Sequence, residues 1–181
     1  MTADEVLAEV ARCLPAARCV DEAGTLTLDV PREEWLAALA FARDVAGCDF
    51  FDWLTAVDEQ DSGLAVVVHL YSIEGRQHLL VRTLVPREDP VLPSATGIFR
   101  GAAWPERETH EMFGVAFDGH PGLAPLLLPD GFEGHPLRKD FPLAARAREW
   151  PGAREPGERE ASARSRRRLV PPGVPEGWPR S

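Results

Sequence analysis

FFDWLTAVDEQDSGLAVVVHLYSIEGRQHLLVRTLV, residues Phe50–Val85, contains three β-rich runs separated by two turn signals. The runs are Phe50–Val57, Leu64–Tyr71 and Leu79–Val85, rich in Val, Leu and aromatic residues. Asp61-Ser62-Gly63 and Glu74-Gly75 lie between them. Turns this short leave no room for a crossover helix, so an antiparallel meander is expected. Val66, Val67 and Val68 form an unbroken apolar run, which predicts a central strand covered on both faces.

Upstream, Thr2-x-x-Glu5 reads as a capping box, with Val6, Val10 and Leu14 at helical spacing behind it. Val20 and the alternating Leu26-Leu28-Val30 flank Asp21-Glu22-Ala23-Gly24, the pattern of a β-hairpin. Pro31 suits a first helical position, and Glu33 and Glu34 complement the helix dipole. Trp35, Leu39 and Ala42 then mark one helix face and Gly47 its end. Helices before and among strands predict an α+β fold: a mixed or antiparallel sheet with N-terminal helices on it, followed by an irregular Pro/Gly-rich C-terminal extension.

Downstream, Pro86 and Pro90 break the last strand, and Ser94–Phe99 fits a short turn or helix in which Ser94 and Thr96 act as capping hydroxyls. Pro105–Phe113 reads as a helix stopped by Gly114, and from Asp118 to Pro142 glycine and proline recur too often for regular structure. The organisation expected is an α/β body over 1–100, a segment over 101–143 packed on the body and on a partner, and an extended Arg/Pro-rich tail over 144–181.

The chain has 181 residues, 44% of them hydrophobic, enough for a proper core. Its net charge of −9 divides into −13 up to Leu143 and +4 beyond it, where nine Arg face five Glu. An acidic body disfavours nucleic acid or anionic lipid as partner. Asp4 and Glu5 stand where a secretory leader would be basic, and no apolar run approaches the ~20 residues of a membrane span. A soluble cytoplasmic chain is therefore expected. Cys13, Cys19 and Cys48 lack Cys-x-x-Cys pairing and read as small buried thiols.

Catalytic signatures are sparse. No Gly-x-Ser-x-Gly elbow, P-loop or Gly-x-Gly-x-x-Gly fingerprint occurs. Glu106 and His110 stand one turn apart, and with His135 or His120 they form a conceivable metal site, although the zincin pattern begun at His110-Glu111 lacks its second histidine. His69 and His78 read as packed or half-exposed sheet residues. Arg107 is spaced to pair with Glu111. Arg138, Lys139 and Asp140 sit between the apolar Leu137 and Phe141-Pro142, so they need partners. Glu106, Glu108, Glu111 or a partner protein's carboxylates are the candidates.

The stretch WPERETHEMFGVAFDGHPGLAPLLLPDGFEGHPLRKDFPL, Trp104–Leu143, carries a resemblance. Glu106-Arg107-Glu108, Met112-Phe113-Gly114-Val115, His120-Pro121 and Gly134-His135-Pro136-Leu137-Arg138-Lys139-Asp140-Phe141-Pro142 follow one another in an order that resembles the 30-kDa subunit family of respiratory complex I. In bacteria this family is the C-type subunit of NADH-quinone oxidoreductase. The chain departs from the family pattern at Thr109-His110 and at Leu123-Ala124-Pro125.

The resemblance implies an accessory subunit of the cytoplasmic peripheral arm of a proton-translocating enzyme. It would have no catalytic centre, metal or cofactor of its own, with FMN and iron–sulfur clusters held by partner subunits. The partners implied are the large, D-type quinone-site subunit and neighbouring iron–sulfur subunits, with only indirect membrane contact. The partner interface expected comprises Glu106, Arg107, Glu108, Met112, Phe113, Gly114, His120, Pro121, Gly134, Pro136, Leu137, Arg138, Lys139, Asp140, Phe141 and Pro142.

Three alternatives stand beside this reading. The chain could serve an energy-converting hydrogenase of similar build. It could be a metal-dependent enzyme using Glu106, His110 and His135. Or its Arg164 and Arg166–Arg168 could bind RNA or anionic lipid.

Overall fold

The computed structural model describes residues 3–22 and 25–142. Thr2 of the expected capping box, the hairpin tip at Ala23-Gly24 and the tail lie outside the described residues. The elements are α1 (Ala3–Cys13), β1 (Arg18–Glu22), β2 (Thr25–Val30), α2 (Trp35–Asp44), β3 (Phe50–Asp58), β4 (Leu64–Ser72), β5 (Gln77–Val85), β6 (Val91–Pro93), α3 (Ala103–Phe113) and β7 (Ala116–Asp118). The fold is α+β, as the sequence predicts.

Five strands form one sheet in the order β1-β2-β5-β4-β3. The hairpin β1–β2 and the meander β3–β4–β5 are antiparallel, and β2 joins β5 in parallel. That parallel contact makes the sheet mixed. It arises because α2 carries the chain from β2 to the far edge, and the meander then works back towards β2. The long connection supplies what a parallel pair requires.

The core lies on one face of this sheet. Val6, Val10 and Leu14 from the α1 end and Trp35, Leu39 and Ala42 of α2 are buried with Leu28, Val66, Val68 and Val81. Each buried Val or Leu side chain among them contributes about 1.5–3 kcal/mol on leaving water. Pro31 precedes a 3-10 turn, Arg32–Glu34, so the α-helix itself starts at Trp35 instead of at the proline.

Two expectations need correction here. β4 is an interior strand, yet it is fully covered on one face only: Leu64, Val66, Val68 and Leu70 are buried, while on the other face Ala65 is buried and Val67, His69 and Tyr71 are half-buried. The helices pack on one side, so an unbroken apolar run does not imply two covers. Cys13 is exposed, since it falls off the Val6–Val10–Leu14 stripe, whereas Cys48 is buried and Cys19 half-buried.

β6 and β7 make a second, two-stranded parallel sheet that the sequence did not announce. Three residues each are too few for a periodic signal. This small sheet, with the 3-10 turns Ala95–Gly97 and Arg100–Ala102, frames α3. No helix or strand occurs among the described residues after Asp118.

Candidate docking segment

α3 starts at Ala103, two residues before Pro105, because the preceding 3-10 turn runs straight into it. Glu106 is fully buried. Its carboxylate accepts the Ser94 hydroxyl at 2.6 Å and the Ala95 amide at 2.6 Å, while Ser94 Oγ accepts the Thr96 amide at 3.2 Å. Burial pushes the Glu106 carboxyl above its ordinary range, against these hydrogen bonds and the nearby His120. The Gly122 amide donates to His120 Nδ1 at 2.9 Å, so in the neutral ring Nε2 carries the proton it gives to Ala103 O at 3.0 Å. Glu106 and His120 thus pin the start of α3 to the turns around it.

The other end of α3 is closed by the segment Gly134–Pro142. His135 Nδ1 donates to Glu111 O at 2.9 Å and the Leu137 amide to Met112 O at 3.2 Å, occupying carbonyls the helix leaves unpaired. Gly114 ends the helix in the left-handed region, φ 82°, and a Cβ there would lie 2.7 Å from His135 Nε2. Glycine is needed twice over: for its backbone angle, and for the imidazole seated against it. His110 Nδ1 adds a 2.8 Å bond to Val115 O.

Arg107 and Glu111 do not hydrogen-bond each other as their spacing predicts. Arg107 donates to Ala124 O at 2.9 Å and Pro125 O at 2.8 Å. Glu111 accepts three consecutive amides, Leu126, Leu127 and Leu128, at 2.8–3.1 Å. Burial pushes the Glu111 carboxyl up, but the three amides together hold it below its usual range. Both side chains fasten the loop through its backbone, so the family departure at Ala124-Pro125 falls where only carbonyls are used.

Arg138 and Asp140, and the backbone of Lys139, find partners that spacing did not suggest. Arg138 holds Asp140 in two hydrogen bonds at 3.0 and 3.1 Å, and Arg87 reaches Asp140 at 3.2 Å. Arg87 also binds Asp58 and the Gln60 carbonyl. Asp58, buried at the end of β3, accepts the Lys139 amide at 2.7 Å and the Gln60 amide at 2.9 Å. Glu106, Glu108 and Glu111, the acids expected there, are not the partners. Asp58 did leave a trace in the sequence: it follows Leu54 and Ala56 at the inward-facing positions of β3.

Several expected interface residues therefore point inward. Glu106, Met112 and Phe113 are buried in this chain and support the surface from beneath. Glu108, Pro121, Gly134, Leu137, Lys139, Asp140 and Pro142 are exposed, and Phe141 is half-buried, its ring stacked on Phe132 at 6.0 Å. Large apolar side chains face outward among them: Leu127 is 59% exposed, Leu137 54% and Phe132 38%. A groove of about 190 Å³ between α3 and the loops is lined by His110, Leu123, Leu128, Phe132 and His135. Among the described residues, no three or more His, Cys, Asp or Glu side chains converge to hold a metal. Glu106, His110 and His135 are not brought together: each side chain is committed to a different backbone or hydroxyl partner.

The family model described as "Respiratory-chain NADH dehydrogenase, 30 Kd subunit" matches residues 28–147. The chain belongs to this 30-kDa subunit family.

Family members of known name are similar over most of the chain. The C-type NADH-quinone oxidoreductase subunit of Herpetosiphon aurantiacus is 40% identical over 133 residues, 71% of this chain and 78% of the relative. Its counterpart in Rhizobium rhizogenes is 46% identical over 128 residues, 66% of this chain and 61% of the relative. Among solved structures, a trypsin-resistant fragment of Nqo5 superposes with TM-score 0.60 at 30% identity, covering 67% of this chain and 99% of the fragment. A chain of the membrane-bound sulfane sulfur reductase, an archaeal respiratory membrane complex, shares the fold at TM-score 0.67 and 23% identity, covering 92% of this chain and 94% of its own length.

Proposed function

We propose that this 30-kDa family chain is an accessory subunit of the cytoplasmic peripheral arm of a proton-translocating NADH-quinone oxidoreductase. It would support electron transfer from NADH to quinone by docking the large, D-type quinone-site subunit. Neighbouring iron–sulfur subunits would share the contact. FMN and the iron–sulfur clusters belong in this reading to those partners, and catalysis belongs to the assembly. The described residues include no helix long and apolar enough to cross a membrane, and the contact with the bilayer would be indirect.

One observation carries the reading. The Gly134–Pro142 segment pairs Arg138 with Asp140 and Asp140 with Arg87, ties its backbone to Asp58 and to the end of α3, and leaves Leu137 outward. A solvent-facing loop has no need of that arrangement, whereas a docking surface gains by having its loop ordered before the partner arrives. The names of the curated relatives supply the assembly to which such a surface would belong.

The test is assembly against turnover. Arg138→Ala or Asp140→Ala should lower the amount of assembled complex on native gels more than the specific activity of what assembles. Normal assembly with lost turnover would point to direct chemistry at this segment.

A further inference from the structure

α1 and α2 pack on the sheet face that carries Leu28, Val66 and Val81; the opposite face has no second layer among the described residues. A sheet covered on one side ordinarily alternates apolar-in with polar-out. Here the outward positions of β3, β4 and β5 include Trp53, Val57, Val67, Tyr71, Leu80 and Leu84 among the polar ones. Trp53 is 40% exposed, Val57 44% and Leu84 48%. A hollow of about 270 Å³ lies over Trp53, Val57, Val67 and Leu80. Contiguous apolar surface of this kind marks a contact site.

Most polar side chains at the centre of this face are partnered within it. Asp29 and Arg82, cross-strand neighbours on β2 and β5, share two hydrogen bonds at 2.5 and 2.8 Å. Asp52 accepts from His69 Nδ1 at 2.8 Å, and His69 Nε2 meets His78 Nδ1 at 3.0 Å. A carboxylate only accepts, so His69 donates through Nδ1; with both rings neutral, Nε2 accepts from His78, whose own Nε2 is left as an acceptor. Trp53 stacks on His69 at 5.5 Å and Tyr71 tilts against His78 at 4.7 Å, which fixes both rings. With Arg18 opposite Asp29 on β1, this face carries two arginines, Arg18 and Arg82, beside two aspartates, Asp29 and Asp52, on a chain of net charge −9.

The face also runs into the docking segment. A second hollow includes Arg82 and Leu84, a third includes Leu84 and Arg87, and Arg87 holds Asp140. We propose that the bare sheet face is a second docking surface, covered in the assembly by an apolar, uncharged face of the same partner that takes Gly134–Pro142, with a hydrogen-bond donor opposite His78 Nε2. Nucleic acid and anionic lipid are poor matches, because Asp29 and Asp52 stand beside the two arginines of this face. The inference rests on the docking reading above for the identity of its partner.

The test compares the purified chain with the assembled complex. Hydroxyl-radical oxidation of Trp53 should be at least fivefold slower in the complex. Leu84→Glu should leave the isolated chain's unfolding midpoint unchanged and cut the assembled fraction at least tenfold. Ile73→Glu, 63% exposed in the β4–β5 turn, should leave assembly unchanged. Equal oxidation of Trp53 in both states, or normal assembly of Leu84→Glu, overturns the proposal, and so does a dimer of the isolated chain that protects Trp53. If Arg138→Ala assembles normally while Trp53 is protected and Leu84→Glu fails, the segment reading is lost and the sheet face stands.

Discussion

One guanidinium, that of Arg87 just beyond β5, joins Asp58 at the end of β3 to Asp140 in the docking segment. The three residues come from distant parts of the chain, so this contact ties the segment to the body. Arg87→Ala leaves the buried Asp58 with only the Lys139 and Gln60 amides, and should cost about 2–3 kcal/mol. Arg138→Ala breaks a pair whose acid is 58% exposed and screened by water, and should cost clearly less. Urea unfolding of the two variants would reveal the difference; equal losses would mean that Arg87 is not the tie.

Two carboxylates should give the stability–pH curve opposing slopes. Burial raises Asp58, but the Lys139 and Gln60 amides with Arg87 outweigh it and hold the group below its ordinary 3.8. Its stabilisation is complete above that value and is lost as pH falls through the depressed folded value. Glu106 is raised above 4.5, chiefly by burial, so the folded chain holds that proton more tightly than the unfolded one. Stability attributable to Glu106 therefore declines as pH rises from 4.5 through the raised value. Asp58→Asn should flatten the acid limb, and Glu106→Gln the limb above it. Unfolding followed over roughly pH 2–7 checks both signs.

Gly114 and Gly119 form a matched pair, both at φ near +80°: a Cβ added at the first would meet His135, and one added at the second would meet nothing within 4 Å beyond its chain neighbours. Gly119→Ala should cost only the backbone penalty, about 1–2 kcal/mol. Gly114→Ala must also displace the imidazole that accounts for one α3 carbonyl, and should cost clearly more. A similar loss in both would mean that His135 contributes little to seating the segment.

The cysteines should differ in reactivity. Cys13 is exposed, whereas burial, with the charge of Asp49, pushes the Cys48 thiol up to about 11. In the folded chain an alkylating reagent should label Cys13 readily and Cys48 only after denaturant is added. Mass spectrometry of labelled peptides reads the order, and early labelling of Cys48 would contradict its burial.

Strand runs, helix faces and the Gly114 stop were legible in the sequence because each rests on short-range periodicity or on one residue's backbone preference. The three runs between Phe50 and Val85 emerged as β3, β4 and β5 within two residues at each end. The β2–β5 parallel contact and the β6–β7 pair were not legible, since pairing between separated strands leaves no local mark. The interface residues illustrate the same limit. Spacing placed Glu106, Arg107 and Glu111 on one helix correctly, but it could not tell that Glu106 turns inward to Ser94 while Arg107 and Glu111 reach separate stretches of loop backbone.

What the sequence by itself determined was the α+β class, the helix ending at Gly114, and the order of motifs that marks the 30-kDa family. Those properties depend on neighbours a few residues apart, and the chain carries them before it folds. Only the tertiary structure decided which acids hold Arg87 and the Arg138–Asp140 pair, and that one sheet face keeps its tryptophan and leucines uncovered. A carboxylate takes the donor that folding brings within about 3 Å. Which donor that is depends on packing across the whole domain.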